Sequence, residues 1–429
     1  MLHSYQKKLN GNVGVVFGSF APLHRGHLDI IYKAKKENPG GVIVIVGGAE
    51  NDKGGERMPI ARRYRYVREF FKDDDLVAVY SINDTELGLN GYTDEGWKPW
   101  LDEFERIFQI AVEPYRDIVN PGIERLSYPN RKWYVGEKLY YDDLIARGED
   151  AVLVDRTKIT PISATMIRNN PIKYWNYIAQ PFRRVFSHNV LFTGTASEGK
   201  STLATDLGKY FGTTHSHEWP RDFMEEKCLA DWEIDCSDFI AFLEGQFNHN
   251  RECIDSLGNN GVFFSDTDCL ITNMYAKYYA QDPDCAFKME DYESVIKPVA
   301  YEYAKKSRWD KIFVLVPHGT FVDDHSRFMN HSGMKERYEL YEILKKSLID
   351  VGDWDKVTIL DGDYYENFMT VVNYVNSIYA KKDEDDEDRN EFASQILNHI
   401  KNKIVNMTPE EKKYYMDHIR VTYEDKEIG

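Results

Sequence analysis

The stretch Val13–His27, VGVVFGSFAPLHRGH, decides the fold class, because it joins an apolar β-type run, a turn of small residues and the opening of a helix. Val13 to Phe17 carries no polar residue, as expected of a strand covered on both faces of a parallel sheet. Gly18 and Ser19 let a ligand come close to the backbone where it leaves that strand, and Pro22 keeps the turn open. Beyond it, Leu28, Ile30, Ile31 and Ala34 recur at helical spacing, and His24 and His27, three residues apart, fall on one face at the helix start. Two imidazoles at a helix N-terminus suit a phosphate-bearing ligand, and they equally suit two surface side chains that cap a helix.

A second unit of the same kind begins at Asn189. Val190, Leu191 and Phe192 lead as a strand into GTASEGKS, Gly194–Ser201, and Ser201 to Phe211 reads as a helix. The string fits G-x-x-x-x-G-K-[ST], whose backbone N–H groups cradle phosphates while the lysine reaches the outer ones and the hydroxyl meets Mg²⁺. Gly194, Thr195, Ser197, Gly199, Ser201 and Thr202 are therefore expected on ATP, with Lys200 catalytic and Ser201 on the metal. One chain thus carries two nucleotide sites.

Between and beyond these units, strand-like runs at Val42–Val46, Leu76–Tyr80, Lys132–Val135 and Ala151–Val154, then Gly261–Ser265, Lys311–Val316 and Lys356–Leu360, alternate with helical patterns. Alternation of this kind gives two tandem parallel-sheet α/β domains. The first is expected over residues 1–183 and the second over 184–380, with the boundary near Gln180–Ser187, where a proline and two arginines interrupt the pattern after a helix at Tyr174–Ile178. Residues 381–429 open with KKDEDDEDRNE and continue into candidate helices from about Glu391 and after Thr408, so an acidic linker and a helical tail are expected there.

With 429 residues and 42% hydrophobic content, the chain has ample material for two buried cores. No stretch reaches the length of a membrane span, and MLHSYQKKLNGNVG lacks the apolar segment of a signal peptide, so a cytoplasmic location is expected. The five cysteines, Cys228, Cys236, Cys253, Cys269 and Cys285, are scattered and contain no CxxC pair, which argues for reduced thiols rather than disulfides or zinc. A formal charge of −17 opposes general association with nucleic acid. ARRYR at Ala61–Arg65 and PFRR at Pro181–Arg184 stand out against that charge, either as local basic patches or as solvated helix faces.

ISATMIR, Ile162–Arg168, resembles the ISxTxxR signature of adenylyltransferases that also carry HxGH, here His24–His27. Taken in order, VGVVFGSFAPLHRGH, YVGE at Tyr134, the Asp155–Arg168 block, NPIKYW and the kinase loop resemble the NadR family over roughly residues 10–380. These enzymes join nicotinamide mononucleotide adenylyltransferase to ribosylnicotinamide kinase. The resemblance implies a Rossmann-like HxGH nucleotidyltransferase followed by a P-loop kinase, with ATP, nicotinamide mononucleotide and nicotinamide riboside as substrates, Mg²⁺ as cofactor and a homo-oligomer as assembly. Many members carry a helix-turn-helix domain ahead of the first strand. Here about a dozen residues precede it, so no transcriptional role is expected. Glu198 stands where a small residue is expected, and Ala196 where an acid is frequent.

Carried onto this chain, the resemblance puts His27 on the α-phosphate, His24 beside it, Arg168 with Ser163 and Thr165 on the leaving pyrophosphate, and Gly18, Ser19 and Phe20 in close backbone approach. In the kinase half, FFSDTD sets Asp266 and Asp268 at a strand end, where a carboxylate binds magnesium through water, accepts the hydroxyl proton or merely caps a helix; Asp266 is the stronger catalytic and metal candidate and Asp268 a substrate contact. In HEWPRDF, Glu218 and Arg221 are candidates for the ribose hydroxyls, and Trp219 either stacks on a pyridinium ring or belongs to the core. In HGTFVDDHSRFMN, Arg327 resembles a lid arginine directed at the transferred phosphate, a solvated loop being the other reading, with Asp323 and Asp324 near substrate. Two other assignments fit the same motif types: a fused phosphopantetheine adenylyltransferase and dephospho-coenzyme A kinase, and a nucleotide-sensing regulator without turnover.

Overall fold

The computed structural model describes residues 8–50, 55–89, 96–120, 123–155, 160–318 and 333–379. Arg327, Asp323, Asp324 and the expected tail after Ala380 lie outside the described residues. In chain order the first half contains β1 (Val13–Gly18), β2 (Val42–Gly48), β3 (Val77–Asn83), β4 (Tyr115–Asn120), β5 (Ile123–Ser127), β6 (Arg131–Val135) and β7 (Ala151–Leu153). Five of these make a parallel sheet in the order β3-β2-β1-β6-β7, while β4 and β5 pair only with each other, antiparallel. The second half contributes β8 (His188–Gly194), β9 (His215–Ser216), β10 (Val262–Ser265), β11 (Lys311–Leu315) and β12 (Val357–Leu360), all parallel in the order β12-β11-β8-β10-β9.

The continuous apolar runs are strands covered on both faces, with Val15 and Val44 fully buried in the first sheet and Val190 and Phe264 in the second. In each sheet the chain first builds to one side of a central strand and then crosses to the other. The crossing point is β1 in one sheet and β8 in the other. The crevice beyond the carboxyl end of such a strand is where doubly wound sheets bind ligands, and it is where both glycine-containing loops emerge.

Segment 170–187 joins the halves. Tyr174–Ile178 is expected as a helix, but only a 3₁₀ turn forms at Trp175–Tyr177, because Ile178 extends to pair with His24 and the Ala179 N–H donates to the Leu23 carbonyl at 3.0 Å. Gln180–Phe186 is helical and buries Phe182 and Val185 in the first core. From it, Arg184 pairs with Glu69 at 2.7 Å in the first half and with Asp255 at 2.9 Å in the second. The Trp175 indole N–H donates to the Asn259 carbonyl at 2.7 Å. The expected boundary therefore falls in a helix gripped from both sides, and both sheets belong to the compact unit Met1–Ala380. Among the described residues no helix is long and apolar enough to cross a membrane.

Candidate active sites

At the end of β1 the chain turns through Phe20, whose φ of 45° lies in the left-handed region and whose ring is fully buried. His24 takes the position just before the helix Arg25–Glu37 and is 1% exposed, so it is no surface cap. The His24 and His27 rings lie 3.8 Å apart, centroid to centroid, and Phe20 meets the His27 ring edge-on at 5.0 Å. Gly26 makes room for this pair, since a Cβ there would come within 3.2 Å of the His24 ring. The ISATMIR block closes on the same loop: Arg168 donates to the Ala21 carbonyl at 2.7 Å and to the Thr165 hydroxyl at 3.0 Å. Ser163 caps the short helix Ala164–Asn169 by accepting from the Met166 N–H at 3.2 Å.

Beneath this loop lies Arg63, fully buried in the helix Ile60–Phe70. Its guanidinium donates to the carbonyls of Ser19 at 2.6 Å, Met58 at 3.0 Å, Ala49 at 3.1 Å and Gly47 at 3.2 Å. One side chain thereby ties the loop after β1 to the loop after β2.

The second loop leaves β8 at Gly194, where φ is 145° and a Cβ would sit 2.5 Å from the Leu315 carbonyl oxygen. Ser197 at φ 61° and Gly199 at φ 83° complete the curl into the helix Lys200–Phe211. The Lys200 ammonium donates to the Thr195 carbonyl at 2.6 Å. Facing it from the end of β10, Asp266 is 3% exposed and lies beside Ser201, whose hydroxyl favours its charged form. Its Oδ1 has no hydrogen-bond partner among the described residues. Burial first, then the charge of Glu218, pushes the Asp266 carboxyl up to about 6 against the opposing pull of Ser201, Lys200 and Arg221. Glu218 and Arg221 form an ion pair at the start of the helix Trp219–Lys227. Lys200, Ser201, Glu218, Arg221 and Asp266 therefore share one electrostatic neighbourhood at the carboxyl ends of the strands.

Two family models match the two halves: one described as cytidylyltransferase-like covers residues 15–170, and one described as an AAA domain covers residues 189–367. The trifunctional NAD biosynthesis/regulator protein NadR of Salmonella typhimurium is 26% identical over 86% of this chain and 84% of its own length. Its Escherichia coli K12 counterpart is 25% identical over 88% and 85%. A solved NadR protein in complex with NR is 31% identical, with 88% of this chain and 99% of that one covered at a TM-score of 0.72. This chain belongs to the NadR family. A NadR structure in complex with NAD and AMP-PNP is 32% identical, again with a TM-score of 0.72, and covers 88% of this chain and 98% of its own.

Within the NadR frame, the expected residues of the first site, Gly18, Ser19, Phe20, His24, His27, Ser163, Thr165 and Arg168, all fall on two segments that Arg168 brings into contact. In the second, Asp268 is a correction. It is the N-cap of the helix Cys269–Tyr279, 2% exposed, and accepts from the Leu270 N–H at 2.9 Å and the Trp309 indole at 3.1 Å, so its carboxylate faces the core rather than a substrate. Trp219 is half-buried and packs on Phe223 with centroids 5.5 Å apart and against Gly245. The Thr195 hydroxyl points inward to Glu198 at 3.0 Å, whereas Ser201 and Thr202 are exposed.

Arg63, read within ARRYR as part of a basic patch or a solvated helix face, is instead fully buried, and Arg337 and Gln246 escaped the sequence reading. Arg63 shares a stripe with Ile60 and Val67, and Arg337 one with Leu340, Leu344 and Leu348; a basic residue on an apolar helical stripe was the available signal. Gln246 accepts from the Trp219 N–H at 2.8 Å and donates to the His217 carbonyl at 3.1 Å, which fixes the Glu218 segment. It continues the buried stripe of Phe239, Phe242 and Leu243, so a polar residue on an apolar stripe was the signal there too.

Proposed function

We propose that the protein makes NAD in two steps on one chain: the P-loop half phosphorylates nicotinamide riboside with ATP to nicotinamide mononucleotide, and the HxGH half transfers the adenylyl group of ATP to that mononucleotide, releasing pyrophosphate. The observation that carries this reading is the pairing of both glycine-loop sites, in family order, with a solved relative that is aligned over almost its whole length.

In the adenylyltransferase half the mononucleotide's own phosphate is the nucleophile, so the residues act by placement and charge. His27 and His24 meet the α-phosphate and its neighbour, and Arg168 with Thr165 faces the departing pyrophosphate. Gly18, Ser19 and Phe20 offer backbone approach, and Ser163 shapes the helix start. In the kinase half, the amides of Gly194–Ser201 wrap the phosphates and Lys200 moves from the Thr195 carbonyl to the outer ones. Glu218 and Arg221 hold the ribose hydroxyls of the riboside.

Mg²⁺ fits this half: Asp266 offers a buried carboxylate oxygen beside the Ser201 hydroxyl. Mg²⁺ at such a site takes most of its ligands from phosphate and water. Bound there by Ser201 and Asp266, it would neutralise charge on the transferred phosphoryl group.

Ligand-dependent melting tests the assignment. Nicotinamide mononucleotide and nicotinamide riboside should each raise the melting temperature, while phosphopantetheine should not. Stabilisation by phosphopantetheine alone would move the protein to the coenzyme A reading, and binding of ATP and NAD without pyrophosphate release would favour a sensor.

A further inference from the structure

Glu198 sits within the phosphate loop, directly before Gly199, yet its carboxylate does not face solvent. It is 0% exposed and pairs directly with Arg337, which is 1% exposed in the first turn of the helix Met334–Asp350. The same carboxylate accepts from the Thr195 hydroxyl at 3.0 Å and the His318 backbone N–H at 3.3 Å, and the His318 Nδ1 lies 3.0 Å from it. Arg337 also donates to the His318 carbonyl at 3.2 Å. One buried ion pair thus ties the phosphate loop to the segment after β11 and to the helix Met334–Asp350.

We propose that the Glu198–Arg337 pair is a positioning device for the kinase: it holds the phosphate loop in its ATP-binding curl and cancels the charge that Glu198 would otherwise present to the nucleotide. Two observations converge on this role. The Thr195 peptide is held by Lys200 through its carbonyl and by Glu198 through its hydroxyl. When Lys200 turns to a phosphate, the Glu198 tether persists. A carboxylate in the loop is also of the same sign as the polyphosphate that the loop wraps, so it is tolerable there only when a buried cation neutralises it. This inference rests on the kinase reading of that half.

The sign of the charge argument makes the test specific. Arg337→Met leaves an uncompensated carboxylate beside the phosphates, and the KM for ATP in riboside phosphorylation should rise on the order of tenfold to a hundredfold. Glu198→Gln/Arg337→Met removes both charges and keeps an acceptor for Thr195, so it should recover most of that loss. Adenylyl transfer by the same chain serves as the internal control and should stay within about twofold of wild type, since additivity holds for distant sites. The idea is overturned if the double variant is as impaired as the single one, if neither alters the KM for ATP, or if both activities decline together. ADP affinity by calorimetry is measured in parallel on the same proteins. A wild type that binds ADP without phosphorylating riboside would remove the kinase assignment alone, and the pair would then be judged by whether Arg337→Met weakens ADP and the double variant restores it.

Discussion

Replacing Arg63 by methionine should disable adenylyl transfer while sparing the kinase. The side chain is fully buried and makes four hydrogen bonds to carbonyls at 2.6–3.2 Å, two of them from the loops that follow β1 and β2, at Ser19 and Ala49. Hydrogen bonds to a charged donor contribute about 1.5–3 kcal/mol each, and their loss is not additive, because some carbonyls gain water; a total of about 3–5 kcal/mol places this among the most damaging single substitutions. Methionine fills the stem of the cavity, so the cost is concentrated in the unpaired carbonyls. On the proposed mechanism the Ser19 loop offers its backbone to the nucleotide, and a displacement of about 1 Å there costs roughly a hundredfold in rate. The assay is pyrophosphate release with ATP and nicotinamide mononucleotide, run beside riboside phosphorylation and a thermal melt of each protein. Adenylyl transfer within twofold of wild type, or equal losses in both reactions, would refute the argument.

The kinase counterpart is Gly194→Ala, whose methyl would lie 2.5 Å from the Leu315 carbonyl at a φ of 145°. Riboside phosphorylation should fall by about a hundredfold or more with adenylyl transfer retained, and a variant with normal kinase kinetics would contradict the loop geometry. Gly26→Ala presses on the His24 ring at 3.2 Å, so adenylyl transfer should drop roughly tenfold without loss of fold, and an unchanged rate would show that the ring has room to shift. Asp268, fully buried, has its carboxyl raised to about 6, so relative to the unfolded chain it binds its proton more tightly when folded. Its contribution to stability is present at low pH and is lost as pH rises from about 4 through 6, by up to about 3 kcal/mol. Asp268→Asn retains an acceptor for the helix cap and should remove that slope; a difference between wild type and variant that is independent of pH from about 4 to about 7 would speak against a raised value.

Both sheets and both glycine loops were legible in the sequence because each rests on local rules: continuous apolar strands, small residues at the turn, helical spacing afterwards. The antiparallel pair β4 and β5 was not, since its polar alternation in YRDIVN and IERLS carries little apolar signal. Site residues on the loops themselves, such as His27 and Lys200, follow from motif position. Residues that shape the loops from below do not, because Arg63, Gln246 and Arg337 reach their partners only after distant segments pack. Asp268 shows the opposite failure, in which a strand-end aspartate that satisfies a local pattern is consumed by a helix cap and an indole N–H. Glu198 departs from the expected small residue and is accommodated by an arginine far away in sequence, a compensation that a local motif does not display.

The central claim is that two different active sites on this chain act in series. Purified protein incubated with ATP, Mg²⁺ and nicotinamide riboside, and followed by chromatography for nicotinamide mononucleotide and NAD, tests it most directly beside His27→Ala and Lys200→Ala. Wild type should accumulate NAD, His27→Ala should stop at the mononucleotide, and Lys200→Ala should form neither product from riboside yet make NAD when given the mononucleotide. Loss of both reactions in both variants, or a wild type that forms neither product from either substrate, would contradict the account.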